Sequence, residues 1–521
     1  MDKVVLTPNR AHSGFPKTDS IFPSPQFDAN NSGQSPTPTA SPSTSVATDR
    51  LGVYAQLADD FDNLVRPTPE RVNAYPALYQ KDIAFLLQHP LIAKLDTHLC
   101  MGVAHTETFK TADHTRFSPH TLYATELAMD MAVRLKLSRE QALDLVTAVA
   151  MHDLGHIIAS HQSEAAINSF PEYQGTPGNP NFCHEHRTKE ILSSPEFVDH
   201  FGSARLERIK SILYNTRDPL YPAADWSDRL AYLIADSLHI GDFRIAKLID
   251  RQAFMDSLER TADGTIAFND LTPAKNLVKA RDILYRDVSK GPAAKLFEAF
   301  LIEAYHRAVE WNQVTPTAFV KRISELSTPD ARKLFAPEDQ PRLYCPHRHN
   351  ALARPVDKDY IPVLHVTLDM LSPKGRQLAL SGETVAIKDC ALVCENERAG
   401  MSIFEYHIRK HLADRGGIGF AERIGALVAI SHVEKKRYPF REVQKDGTIR
   451  SEVVEGIESW QMFGALPNAR QSDATMINHA MTEALSRAGL LADHVVSAKN
   501  AKIGKTTSTE PSPTLFTKPS R

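Results

Sequence analysis

The sequence predicts a mostly α-helical protein with a smaller α+β domain at its C-terminal end and disordered tails. Three observations carry this expectation. From about residue 78 to residue 326, apolar residues recur at spacings of three and four. Past Thr328 the composition changes, and runs that favour strands alternate with two helical runs. Residues 1–48 are dominated by Ser, Thr, Pro, Asn and Gly, and 497–521 have the same character with scattered lysines. Such segments bury too little apolar area to offset the entropy of ordering them.

Ordered structure is expected from about Leu51. Leu78 to Leu95 reads as a helix broken at Pro90, whose ring cannot sit inside a helix. Pro119 is placed to open the next helix. Ala124, Leu127, Ala128, Met131 and Leu135 form a stripe along it, with His120 at its inward end. Ser138 followed by Gln141 is a capping box that starts another helix. That helix ends on Met151-His152-Asp153-Leu154-Gly155-His156, with His161 five residues further on. A lone histidine in an apolar run is ordinarily a satisfied core residue. An adjacent His-Asp pair, a glycine break and two more imidazoles suit a divalent transition metal instead. Two antiparallel neighbours could bring His120 to the pair.

A loop rich in Pro, Gly and Asn (171–180) precedes Phe182-Cys183-His184-Glu185-His186, which opens a further helical run. Asp225 then begins a helix with two unlike sides. Leu230, Leu233, Ile234 and Leu238 cover one, and Asp228, Tyr232, Asp236 and His239 the other. Solvated faces usually carry Lys and Glu, so this second stripe reads as a pocket lining. Helices from about Leu271, from Pro292 and over Phe319 to Leu326 read as packing elements.

Taken in order, His120, His152-Asp153 and Asp228 resemble the H…HD…D signature of the HD superfamily of metal-dependent phosphohydrolases. Within it, the sequence is most similar to the deoxynucleoside triphosphate triphosphohydrolases, the dGTPase-like branch. Arg116-Phe-Ser-Pro-His120 echoes their entry motif, with a spacing of four where the family usually has three. His152 through His161 matches H-D-L-G-H-x-x-x-x-H, Phe182-Cys-His184-Glu185 matches an aromatic-x-His-Glu segment, and Asp228, Tyr232 and Asp236 match D-x-x-x-Y-x-x-x-D. His186 stands where relatives often carry an amide. The likeness spans roughly residues 75 to 310.

This resemblance implies an HD-domain helical core over 49–327; the α+β domain expected over 328–496 follows from the change of composition and resembles no known family. The resemblance implies a divalent metal on His120, His152, Asp153 and Asp228. Manganese, iron, magnesium, zinc and nickel are not distinguished, and a second ion is left open. His156, His161 and His184 would surround the phosphates, one of them moving a proton. By its spacing, Glu164, three residues past His161, either orients one of the three or is an ordinary helix carboxylate. Arg116 and Arg229 would contact phosphates, and Tyr232 and Asp236 would pack on the sugar and accept its 3′-hydroxyl. The expected substrate is a nucleotide, foremost a deoxynucleoside triphosphate releasing triphosphate. The alternatives are an HD-type nucleotide monophosphatase or cyclic-nucleotide phosphodiesterase, and a nucleotide-sensing binding protein on the same fold. A sensor has no need of all four ligands. Metal-assisted phosphate hydrolysis also follows from the residue chemistry, because such a site activates water and receives charge gathering on phosphoryl oxygens.

Composition bounds the remaining classes. With 60 basic against 63 acidic side chains, the formal charge of −3 gives no whole-chain attraction to nucleic acid or anionic membrane. Five cysteines among 521 residues are few and odd in number, which fits a reducing compartment rather than a disulfide scaffold. No apolar run is long enough to span a bilayer, and the first residues lack a basic-then-apolar signal pattern, so a cytoplasmic protein is expected. A homo-oligomer is left open. In the C-terminal part, Tyr360–Asp369 and Thr384–Cys394 favour strands, and Lys445-Asp446-Gly447 reads as a hairpin turn between Tyr438–Val443 and Thr448–Val454. Helices are expected at about Ile403–Arg415 and Met476–Ala488. Glu434-Lys-Lys-Arg437 reads as a solvated helix end. Cys345, His347, His349, Cys390 and Cys394 match no common zinc spacing and read as scattered.

Overall fold

Pro90 splits the first apolar run in two. Helix α1 covers Ile83–Gln88 and α2 covers Pro90–Leu95; the His89 ring between them accepts from the Leu91 N–H (3.2 Å) and caps the second. The computed structural model describes residues 82–100, 115–117, 120–173, 181–335, 360–381, 384–385, 401–416, 427–433, 435–467 and 474–495. These all belong to one unit of the chain, Arg50–Arg521. Both expected tails and the Cys345–His349 and Cys390–Cys394 segments lie outside the described residues.

The protein is mostly helical, as its periodicity predicts. Helix α3 (His120–Arg134) buries Ala124, Leu127, Ala128 and Met131 completely, so the stripe read from the sequence is its core face. Helix α4 (Arg139–Met151) starts at the expected capping box. There the Gln141 N–H donates to Ser138 Oγ and the Ser138 N–H to Gln141 Oε1, each at 3.2 Å. After α5 (Ser160–Ile167) come α6 (His184–Leu192), α7 (Pro195–Phe201) and α8 (Ser203–Tyr214). The long α9 (Tyr221–Ile240) packs Leu230, Leu233 and Ile234 into the same core as α3 and α4. Each of those leucine-sized side chains contributes about 1.5–3 kcal/mol by leaving water.

Short α10 (Phe243–Ala246) and α11 (Arg251–Ser257) lead to two three-residue strands, β1 (Leu258–Arg260) and β2 (Ile266–Phe268). Helices α12 (Thr272–Leu284), α13 (Pro292–Trp311), α14 (Pro316–Glu325) and α15 (Thr328–Phe335) follow. Tyr305, Phe319 and Phe335 pack together under α5 as a separate apolar cluster.

Beyond residue 360 the expected strands and helices appear. Strand β3 (Tyr360–Thr367) pairs antiparallel with β9 (Ser459–Pro467), and β9 with β6 (Leu427–Val433). Helices α16 (Pro373–Ser381), α17 (Ile403–Gly416) and α18 (Ala474–Arg487) accompany this sheet; Phe404, Ile408, Ile477 and Met481 share its core with Trp460 and Met462. Of the run Thr384–Cys394, only β4 (Thr384–Val385) is described, paired with β5 (Met401–Ser402). The hairpin forms as read, from β7 (Arg437–Val443) and β8 (Ile449–Glu455). Gly447 takes a φ of +80°, which only glycine adopts freely.

Two features depart from the sequence reading. The basic run ending at Arg437 is not a helix end, because Arg437 opens β7, whose Tyr438 and Phe440 point inward in strand alternation. Also, β2 pairs parallel with β7 through Phe268 and Glu442, giving one sheet in the order β1-β2-β7-β8. Segments on either side of residue 328 therefore share a sheet, and Tyr438 and Phe440 join the core of the N-terminal helices. Among the described residues, no helix is long and apolar enough to cross a membrane.

Candidate metal centre

His120, His152, Asp153 and Asp228 come from three elements and meet at one point. His120 starts α3, the His-Asp pair leaves the end of α4, and Asp228 lies in the second turn of α9. The Nε2 atoms of His120 and His152 are 3.3 Å apart, and each lies 3.3 Å from Asp228 Oδ1. Asp153 presents Oδ2 to His120 and Oδ1 to His152, both at 3.3 Å. Atoms bound about 2.1 Å from a shared ion lie roughly 3.0–3.4 Å apart at right or tetrahedral angles. The four side chains therefore fit a divalent cation with nitrogen and oxygen ligands.

Neighbouring groups fix these candidate ligands. His152 Nδ1 donates to the Val149 carbonyl (2.6 Å), which leaves Nε2 as the inward lone pair. Arg116 donates through Nη1 to Asp153 Oδ2 (3.1 Å), through Nε to Ser160 Oγ (3.0 Å) and through Nη2 to the Cys100 carbonyl (2.9 Å). Arg116, expected as a phosphate contact, donates to the protein from each of its three nitrogens and holds the Asp153 carboxylate in place. Burial raises the Asp153 carboxyl, but His152, His156 and Arg116 outweigh it and hold it well below its ordinary range. Asp228 behaves alike, with hydrogen bonds from His120 and His152 overcoming burial. For His152, burial lowers the basicity but the charges of Asp153 and Asp228 win, and the imidazole rises to about 9.

A second group adjoins the first. His156, His161, Glu164 and His184 bring ligand-type atoms within 4.8 Å of one another. The His156 and His184 rings stack at 4.0 Å, with His161 edge-on to both at 4.9 and 5.0 Å. Glu164 Oε1 accepts from His184 Nδ1 at 2.6 Å and lies 3.5 Å from His161 Nδ1, so one carboxylate serves two rings. His156 Nε2 is 3.3 Å from Asp153 Oδ1 and links the two groups. Burial, together with Arg116 and His184, pushes His156 well below the usual imidazole range, so it is neutral. His161 is the exposed member, half of its side chain facing solvent.

The geometry depends on the turn between α4 and α5. Ala159 and Ser160 both adopt positive φ (60° and 50°), each costing about 1–3 kcal/mol for a residue with a side chain. Ser160 Oγ donates to the Leu99 carbonyl (2.8 Å) and accepts from Arg116, which holds that backbone in place. Thr188 Oγ1 accepts the Gly155 N–H (2.9 Å), and Arg187 Nη1 donates to the Gly155 carbonyl (3.1 Å). Sequence reading missed Thr188 and Arg187; the one available signal was that Thr188 falls one turn after His184, on the same face.

The stripe on α9 continues inward from Asp228. Tyr232 faces Tyr285 with ring centres 6.4 Å apart, and Asp236 is 8% exposed. Burial pushes the Asp236 carboxyl up to about 7, against the charges of His120 and Arg116. Arg229, expected on phosphates, is held by Asp225 in a bidentate pair at 2.7 Å on both nitrogens.

No family model and no curated protein matches the chain. Among solved structures it is similar to a phosphohydrolase from Bacteroides thetaiotaomicron VPI-5482, at 17% identity and a TM-score of 0.46, over 74% of this chain and 94% of that one. A likeness that distant carries no functional weight, and the site's residues stand on their own geometry.

Proposed function

We propose that this chain hydrolyses phosphate bonds of nucleotides with a divalent metal, acting as a deoxynucleoside triphosphate triphosphohydrolase. One observation supports this above all: two imidazole nitrogens and two carboxylates converge at 3.3 Å spacings beside a second group of three histidines and a carboxylate. His120, His152, Asp153 and Asp228 would hold the ion. When bound, a divalent ion lowers the pKa of water and neutralises charge on phosphoryl oxygens.

The chain's own groups supply the rest. Glu164 keeps a proton on His184 Nδ1 and leaves its Nε2 free to accept or return one. His161, partly open to solvent, can exchange that proton with water. Neutral His156, its Nε2 turned to Asp153, lines the phosphate region without a charge of its own. Tyr232 and Asp236, further along α9, would meet the sugar. The nucleoside triphosphate preference rests on the motif resemblance.

The test is purified protein with Mn²⁺ and a panel of ribo- and deoxynucleoside mono- and triphosphates and cyclic nucleotides. The products are resolved as triphosphate, pyrophosphate and phosphate. Equimolar triphosphate and deoxynucleoside is the expected outcome. Phosphate from monophosphates alone would redirect the reading to a monophosphatase. Tight nucleotide binding with no turnover at any metal would make the chain a sensor.

A further inference from the structure

One edge of the β1-β2-β7-β8 sheet is open. Strand β8 (Ile449–Glu455) lies last in that order, and among the described residues no strand pairs with its outer side. Its register with β7 runs without a bulge. At the two ends of the hairpin, the Gln444 N–H donates to the Thr448 carbonyl and the Gly456 N–H to the Lys436 carbonyl, both at 2.8 Å. Hydrogen-bonded pairs alternate along an antiparallel ladder. Arg450, Glu452 and Val454 therefore turn their backbone toward β7, while Ile449, Ser451, Val453 and Glu455 turn theirs outward. The Ile457 N–H is held by Asp282 Oδ2 (3.0 Å), which ends the open stretch. Such a row is a template for another strand.

The side chains along this edge face solvent. Ile449, Val453 and Ile457, at 44%, 47% and 44% exposure, are three of the six large apolar side chains exposed among the described residues. They recur every four positions, which keeps them on one face of an extended chain. On that face Val443 stands beside Ile449, Pro439 beside Val453, Arg441 beside Ser451 and Arg437 beside Glu455. Turned about a two-fold axis through Val453, the face fits itself. In antiparallel pairing of two copies, Val453 meets Val453 and Ile449 meets Ile457. Ser451 meets Glu455, so each Glu455 lies between Arg437 of its own copy and, across the small serine, Arg441 of the other. An axis through Glu455 would oppose two carboxylates, and one through Ser451 would leave Ile457 uncovered.

We propose that the protein forms a homodimer by antiparallel pairing of β8 with β8 of a second copy, joining the two four-stranded sheets into one. The occupant is a second copy because a single axis both pairs the three exposed apolar side chains and sets the one outward carboxylate of the strand between two guanidinium groups. This inference does not depend on what the candidate metal centre hydrolyses. The same hairpin seats Phe440 on Trp226, with ring centres 5.8 Å apart, two residues before Asp228 on α9. The shared sheet would thus back the helix that carries a candidate ligand.

The full chain is sedimented at concentrations from about 1 to about 200 µM, since an interface of two strands and their flanks is small and should dissociate in the micromolar range. The variants are Val453→Lys, which sets two ammonium groups opposite each other at the axis, and Ile457→Lys. Both side chains are exposed, so each variant is expected to keep the wild-type Tm and circular dichroism. The dimer should weaken at least about a hundredfold in Val453→Lys and about tenfold in Ile457→Lys. Hydrogen exchange on the wild type is a second measure: the amides of Ser451, Val453 and Glu455 should gain protection as concentration rises. A wild-type chain that stays monomeric throughout overturns the inference. So does an assembly undiminished by either variant, or exchange at those three amides as fast at the highest concentration as in a Val453→Lys monomer.

Discussion

The Cα of Gly155 lies against the carbonyl oxygen of His184, so closely that a methyl group on it would overlap that oxygen and sit 2.8 Å from the Thr188 nitrogen. The turn carrying His152, Asp153 and His156 and the first turn of α6 thus meet through a position that has no room for a side chain. Both groups of histidines depend on this contact.

Gly155→Ala must therefore push α6 away from the turn, because the obstructing atoms are backbone and cannot rotate aside. The expected loss is roughly 2 kcal/mol or more of stability, with turnover reduced at least about a hundredfold by displacement of His184. Chemical denaturation and steady-state kinetics on one preparation check both. A variant as stable and active as the wild type would show that the contact is looser than this.

Removing one ligand should separate metal from fold. Asp228 is partly exposed, so Asp228→Ala is expected to lose the ion and at least about a thousandfold in rate while the helical signal survives. Metal analysis alongside circular dichroism decides it. Retained stoichiometric metal would remove Asp228 from the ligand set.

Metal binding should release protons. In the metal-free protein the His152 imidazole is raised to about 9, above its ordinary value of about 6.5, so it is charged at pH 7. A ligand must be neutral, so apparent affinity should climb as pH rises toward about 9. The same sign governs stability. The stabilisation this imidazolium gives the metal-free fold is complete below its ordinary pKa and is lost as pH rises through about 9. Calorimetry at pH 7 in buffers of different ionisation enthalpy should count about one proton or more released per ion. A count of zero would mean that His152 is already neutral in the metal-free protein.

Under the proposed function, the Glu164–His184 pair would serve proton transfer and not metal retention at the four-residue centre. Glu164→Gln is expected to lower kcat by about a hundredfold, as loss of an oriented proton-transfer group does, with metal content at that centre unchanged. Parallel loss of metal and rate would merge the two groups into one.

Asp236 should impose an acid limb near neutrality. Its carboxyl titrates at about 7, and only the ionised form accepts a hydroxyl without donating. KM for a deoxynucleotide is expected to rise as pH falls below about 7, and Asp236→Asn should remove that limb. An unaltered pH profile in the variant would place the titration elsewhere.

Much of the centre was legible along the chain because helices announce themselves locally. The stripe from Ala124 to Leu135 set His120 on an inward face, and the capping box at Ser138 set the start of the helix that delivers His152 and Asp153. The partners of Arg116 were not legible, since which donor reaches Asp153, Ser160 or Cys100 depends on how three separate segments dock. Strands β1 and β2, three residues each, are too short to show a period, so their pairing with β7 was hidden as well.

By itself, then, the sequence determined the helical class, the β7–β8 hairpin and the candidate ligands, because periodicity, capping and turn chemistry act within a few residues. Only the tertiary structure decided that Arg116 and Arg229 are held by carboxylates of the protein, that one carboxylate serves both His161 and His184, and that Tyr438 reaches the helical core. Those outcomes depend on distances between atoms far apart in the chain, which close only when the helices and the β1-β2-β7-β8 sheet pack together.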